Sequence, residues 1–177
     1  MRDANRDLTY AELNASRRSW TDFTGVVVDR ALLMSITGEA ALAPSAYNMQ
    51  PWRFVFLQGE GLARLEDGLS VWNQAKAVAA GTALFVFDDP SEINRREGPT
   101  LYDSGKASRH EFAVRNASLV AMKFMLAAWS HMVATRPMIG FEPYRVREAA
   151  GAPRHLVPVL ALAVGYPDVA IERAPRV

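Results

Sequence analysis

Residues 108–134, SRHEFAVRNASLVAMKFMLAAWSHMVA, constrain the fold more than any other stretch of the chain. They read as its longest helix, and their second half is apolar on almost every side. A helix without a polar face must be covered all round, so the pattern predicts a central buried helix. On this reading the stripe Met122, Met125, Met132 is core packing, and His131 is a hydrogen-bonded core residue.

The elements that cover this helix lie on either side of it in sequence. TALFVFDD (82–89) is a continuous apolar run of the right length for a central strand. WRFVFL (52–57) alternates, with Trp52, Phe54 and Phe56 on one face and Arg53 and Val55 on the other. HLVPVLALAVGYP, from His155, predicts a last buried strand in which Pro158 avoids a position that needs its N–H. Thr9 and Glu12 form a capping box for a helix reaching about Arg17, and Asp29 caps a second one ending near Pro44. Gly38, inside that second helix, marks close packing. Two short helices follow, 61–69 and 71–80, separated by Gly68, and another occupies YRVREAAG (144–151). TRPMIGFEP (135–143) reads as a turn bounded by two prolines. The order αα-β-αα-β-α-α-β has no repeat or linker, so residues 1–177 are expected to form one α+β domain. Its central sheet, mixed or antiparallel, is flanked by helices.

Composition removes whole classes of chemistry. The chain has no cysteine, which excludes disulfides, thiolate metal sites, iron–sulfur clusters and cysteine nucleophiles. His110, His131 and His155 are too scattered to form a metal motif, and His110 beside Glu111 reads as a polar helix start. A formal charge of +1 gives no reason to expect nucleic acid as a partner. The N-terminal segment lacks the apolar core of a secretion signal, and no apolar run reaches the length of a membrane span. A cytoplasmic location is expected by elimination. No nucleophile stands beside a base, and no carboxylate pair has a convincing spacing, so catalysis would need a cofactor.

Three polar constellations remain. LAPSAYNMQPWRFVFL (42–57) places Pro44 and Pro51 around small and amide side chains. The prolines restrict the chain to extended or turn geometry, and in extended chain Asn48 and Gln50 point to one side. Such a loop suits a flat polar heterocycle; it suits an ordinary structured connection equally well. Arg17, Arg18 and Ser19 offer two guanidiniums and a hydroxyl, suited to phosphate or to a solvated helix end. In NQAK, Asn73 and Lys76 are three apart and share a helix face. In RPMIGFEP, Gly140 lets a ligand ring approach bare backbone, and the N–H groups of Ile139 and Gly140 are candidates to face a heteroatom.

Taken in order along the chain, RRS, APSAYNMQPWRFVF, NQAK, the helix containing RNAS, RPMIGFEP and LALAVGYP resemble the FMN-dependent nitroreductase family. The resemblance implies that family's α+β fold, an intertwined homodimer, and FMN at the subunit interface. It implies that Arg17, Arg18 and Ser19 hold the FMN phosphate or ribityl chain, completed by Arg173 or Arg176. Pro44, Ser45, Ala46, Asn48 and Gln50 would line the ring and ribityl portion. Asn73 and Lys76 would face the pyrimidine edge, and Pro137, Met138, Ile139 and Gly140 the region of flavin N5. Tyr47, Met49, Tyr102 and Phe112 are candidates for the acceptor pocket. The implied activity is reduction of nitroaromatics, quinones or similar electrophiles by NAD(P)H in a ping-pong cycle. Enal or aldehyde reduction, dehalogenation and non-catalytic flavin storage are the alternatives.

Overall fold

The computed structural model describes residues 8–65, 68–92 and 109–169, without the side chains of residues 109, 110 and 113. Thr9 caps the first helix, α1 (Tyr10–Ser16), by the reciprocal box with Glu12. The Asp29 carboxylate caps α2 (Arg30–Ala40) by accepting from the N–H groups of Ala31 and Leu32. Then come strand β1 (Trp52–Gln58), the short α3 (Glu60–Ala63), α4 (Val71–Ala80) and β2 (Thr82–Asp88). The long helix α5 (Arg109–Ser130) leads to β3 (Ala134–Met138), α6 (Pro143–Ala149) and β4 (Val157–Gly165).

The strands form one sheet in the order β1-β2-β4-β3, and every pair is antiparallel. Helices cover both faces. Trp52, Phe54, Phe56, Leu84, Val86, Leu162 and Val164 meet α2 and α5 on one side. Val55, Leu57, Phe85, Phe87, Ala161 and Ala163 meet α3, α4 and α6 on the other. β2 is thus sandwiched, which is why its sequence is apolar without alternation, and fully burying each of Phe85 and Phe87 contributes about 1.5–3 kcal/mol. Phe124 of α5 sits between Phe54 and Phe56, with ring centroids 6.0 and 6.1 Å away. At the end of β4 the sheet and α4 nearly touch: a Cβ on Gly165 would lie 2.6 Å from the Ala80 carbonyl oxygen, so only glycine fits. Pro158 pairs with Phe87 where the β2–β4 register shifts, so the ladder bends at its missing N–H.

Several expectations change. The segment after α5 is not merely a turn, because Ala134–Met138 pairs with β4 as an edge strand. An edge position tolerates Pro137, whose missing donor misled the sequence reading. α5 stops at Ser130, before the expected Ala134, with Met132 in the left-handed region at φ 58°. Met125 is buried, but Met122 and Met132 are open to solvent, as is Leu119. The central helix is therefore covered by the sheet, α2 and α1, while its face bearing Leu119 and Met122 is open. His131 is at the surface rather than in the core, with Nε2 2.6 Å from Glu39 Oε1. Gly38 faces open space, so close packing within this chain does not explain it.

Candidate functional site

The loop before β1 is built by left-handed backbone rather than extended chain. Ala46–Asn48 form a 3₁₀ turn, and Tyr47, Asn48 and Gln50 have φ of 50°, 53° and 50°. Three non-glycine residues in this region carry strain, and the surrounding hydrogen bonds hold them there. Ser45 Oγ accepts from the Gln50 N–H at 2.9 Å, and the Ser45 carbonyl accepts from the Asn48 N–H at 3.0 Å. Gln50 donates its amide to the Ala41 carbonyl at 3.3 Å. Asn48 and Gln50 therefore do not project as neighbours on one strand face. The key support is Asn116, buried in α5. Its Oδ1 accepts from the Ala46 N–H at 3.2 Å while its Nδ2 donates to the Phe112 carbonyl at 2.9 Å. Met49 and Phe112 are buried against each other and Ala46, whereas Tyr47 is exposed. Pro44 also lies at the surface.

The Arg17-Arg18-Ser19 segment is fixed at the other end of α5. Trp129 donates its indole N–H to Ser16 Oγ at 2.9 Å, and its ring lies 5.5 Å from that of Trp20. Ser19 bridges Thr135 in parallel, and the Trp20 N–H donates to the Thr135 carbonyl at 3.1 Å. The backbone of this segment thus runs beside the start of β3. Gly140 lies two residues beyond the other end of that strand.

There the start of α4 is stitched to the chain after β3. The Gly140 carbonyl accepts from the Ser70 N–H and from Asn73 Nδ2, both at 3.0 Å. Leu69 bridges Phe141, and the Glu142 N–H donates to the Gly68 carbonyl at 2.8 Å. A Cβ on Gly140 would come within 3.0 Å of Asn73 Nδ2 and 3.1 Å of Ser70 Oγ, so a larger residue would press on both side chains. Asn73 is accordingly a brace for the turn. Lys76, one turn further along α4, is half-buried and has no carboxylate partner among the described residues. Ile139 and Pro137 are exposed, while Met138 is buried in the sheet core. Tyr102, Arg173 and Arg176 lie outside the described residues.

The candidates therefore fall into two groups. One runs along the β3 edge: Arg17, Arg18 and Ser19, then Ile139, Gly140, Asn73 and Lys76. The other is the loop 44–50 beside β1, at the opposite edge of the sheet. Their anchors on α5, Asn116 and Trp129, are thirteen residues apart, about 20 Å of helix at 1.5 Å per residue. The β3-edge group suits an elongated ligand, anionic at one end and polar at the other.

Elsewhere the described residues hold no cluster of acidic and histidine side chains placed for a metal ion. None of their helices is long and apolar enough to cross a membrane. A shallow apolar depression of about 600 Å³ lies on the open face of α5, lined by Tyr10, Leu119, Met122 and Leu126. It is remote from both groups in residue make-up. Asn116 lies in the RNAS stretch but received no role from sequence reasoning, and Ser70 was missed because it carries no signal apart from its tertiary partner. Asp88 was missed as well: it is buried at the end of β2 with neither carboxyl oxygen hydrogen-bonded, and burial, then Asp89, push its pKa up to about 7 against the pull of Arg53.

Known proteins share both sequence and architecture. Residues 15–166 match the model of the nitroreductase family. A Stenotrophomonas maltophilia protein, provisionally named an NADH dehydrogenase/NAD(P)H nitroreductase, is 32% identical over 93% of this chain and 89% of its own length. A crystal structure of a nitroreductase family protein from Streptococcus pneumoniae superposes with a TM-score of 0.80 at 26% identity, covering 96% of each chain. One from Exiguobacterium sibiricum, provisionally named a nitroreductase and in complex with FMN, has a TM-score of 0.80 at 28% identity, covering 96% of this chain and 93% of that one.

Proposed function

The chain belongs to the nitroreductase family, and on that premise we propose that it is an FMN-dependent oxidoreductase acting as a homodimer, with residues 1–177 as one flavin-binding domain in each subunit. The donor set suits FMN. Arg17, Arg18 and Ser19 supply charge-assisted and neutral hydrogen bonds to a phosphate. Lys76 supplies a cation for the electron-rich pyrimidine edge, and Gly140 leaves the intervening turn without a side chain. FMN, when bound, would supply two-electron chemistry, by which hydride from NAD(P)H would pass via N5 to a nitroaromatic, quinone or similar electrophile in ping-pong order.

The chain's own residues bind and orient. Lys76, at about 4 Å from a developing negative charge, would favour the reduced state by up to roughly 4 kcal/mol at an effective dielectric near 20. Asn73 holds the 139–141 turn at a fixed height, so the backbone N–H groups of Ile139 and Gly140 keep a constant position. Ser45, Ala46, Asn48 and Gln50, with Pro44, would reach the ring from the second subunit. The tail residues Arg173 and Arg176 are proposed for the phosphate, and Tyr47 and Tyr102 for the acceptor side. Met49 and Phe112 shape the loop from beneath.

The observation that carries this reading is the separation of the two candidate groups along α5, with the apolar face of that helix left open. Both features call for a second subunit that covers Leu119, Met122 and Leu126. The test is direct. Purified protein is expected to be yellow, to release FMN on denaturation, and to sediment as a dimer. NADH or NADPH should bleach it without oxygen. A colourless monomer that takes up no FMN would refute the proposal, and a yellow protein that no pyridine nucleotide bleaches would leave flavin storage in its place.

A further inference from the structure

Arg136 stands in the middle of β3, one residue after the Thr135 that Ser19 bridges. Cross-strand register fixes the face from which its side chain leaves the sheet. Arg136 pairs with Ala163, and Met138 with Ala161, so these four side chains stand on one face. Met138, Ala161 and Ala163 are buried there in one cluster with Ala77 and Ala80 of α4, so Arg136 belongs to the α4 side. α4 is pinned along this edge at both ends. Ser70 and Asn73 hold Gly140 beyond the end of β3, and Ala80 meets Gly165, which pairs with Ala134 at its start. Arg136 therefore lies beside the middle of α4, at the level of Lys76. Both cations are half-buried, and neither has a carboxylate partner among the described residues. Two like charges sharing a trough repel, and half-burial removes part of the water that screens them. An anionic guest would remove that cost.

We propose that Arg136 is a second cation for the pyrimidine edge of bound FMN, across the trough from Lys76, and that it raises the reduction potential of the flavin. This rests on the flavoenzyme reading above and adds a residue and a measurable property to it. Gain of a hydride from NAD(P)H, which leaves as NAD(P)+, places negative charge on N1 and O2 of the ring. A cation at that edge therefore stabilises reduced flavin more than oxidised flavin. The guanidinium presents paired N–H donors in one plane, which match two adjacent acceptors; an ammonium is a point charge. Lys76 thus supplies charge alone, and Arg136 supplies charge with a fixed direction.

The test is the midpoint potential of the flavin-loaded dimer, read from the flavin spectrum against a reference dye without oxygen. Wild type is compared with Arg136→Gln, Arg136→Lys and Arg64→Gln. Arg64 is exposed at the end of α3, which follows the opposite edge strand β1, so its variant reports the effect of net charge alone. Arg136→Gln should weaken the preference for reduced over oxidised FMN about tenfold, a fall of about 30 mV for a two-electron couple. Arg136→Lys should keep most of the potential, and Arg64→Gln all of it. An unchanged potential in Arg136→Gln, or an equal fall in Arg136→Lys or Arg64→Gln, overturns the proposal. Titration of apoprotein with oxidised FMN supplies the second measurement, since affinity there should change much less than the potential does. Lost affinity for oxidised FMN with the potential intact would assign Arg136 to the phosphate and overturn its place at the ring. Failure of the flavoenzyme reading is distinguishable, because wild type would then be colourless before any variant is compared.

Discussion

Replacing Asp88 by asparagine should flatten the pH dependence of folding stability. Asp88 is 1% exposed at the end of β2, in register with Trp52 of β1 and Val157 of β4. Neither carboxyl oxygen has a hydrogen-bond partner to stabilise the anion. Burial raises the pKa from 3.8 to about 7, with help from Asp89 and opposition from Arg53. Arg53 is itself engaged by Asp89 at 2.7 Å and Glu92 at 3.0 Å, and His155 lies 3.7 Å from Asp89, so no cation is committed to Asp88. The folded state therefore binds this proton more tightly than the unfolded chain does. Stability from the group is complete below the unfolded pKa of 3.8 and is lost as pH rises through about 7. Each pH unit inside that window corresponds to about 1.4 kcal/mol, so the wild type should lose roughly 3 kcal/mol between pH 5 and pH 8. Asparagine keeps the shape and cannot ionise. Urea unfolding of both proteins at pH 5 and pH 8, at one protein concentration, isolates the term by difference, since other groups contribute to both alike. Parallel stability profiles for wild type and Asp88→Asn would refute the reasoning.

Arg17→Ala should weaken FMN binding by about 1.5–3 kcal/mol, the worth of a charge-assisted bond, as measured by flavin fluorescence titration. Asn116→Leu leaves the Ala46 N–H without its acceptor, and should cost about 1–3 kcal/mol in thermal stability while also lowering flavin affinity through the loop. Met132→Gly should raise stability by about 1 kcal/mol in denaturant unfolding, because Met132 holds a φ of 58° after α5 while half-exposed.

Local rules were legible wherever they rested on a few neighbouring residues. The Thr9–Glu12 box and the Asp29 cap need only the first turn of a helix. The alternation in WRFVFL reported correctly that Trp52, Phe54 and Phe56 share one core face, and the unbroken run in TALFVFDD that β2 is buried on both. The adjacency of Asn73 and Lys76 followed from helical period alone. The loop 44–50 was harder. Its two prolines argue for extended chain, yet hydrogen bonds from Ser45 and from distant Asn116 hold Tyr47, Asn48 and Gln50 in left-handed backbone. Pro137 hid β3 for a related reason, since a missing N–H bars a central strand but not an edge.

By itself the sequence determined the element order apart from β3, the two-sided burial of β2 and the family, because periodicity, capping and motif order are properties of neighbours along the chain. Only the tertiary structure decided that Asn73 braces Gly140, that the face of α5 bearing Leu119 and Met122 stays open, and that Trp72 stands in solvent while three other indoles are covered. Hydrophobicity states a preference for burial but not which surface arrives to provide it. That depends on how separate elements pack, and residues far apart in sequence have no local way to signal it.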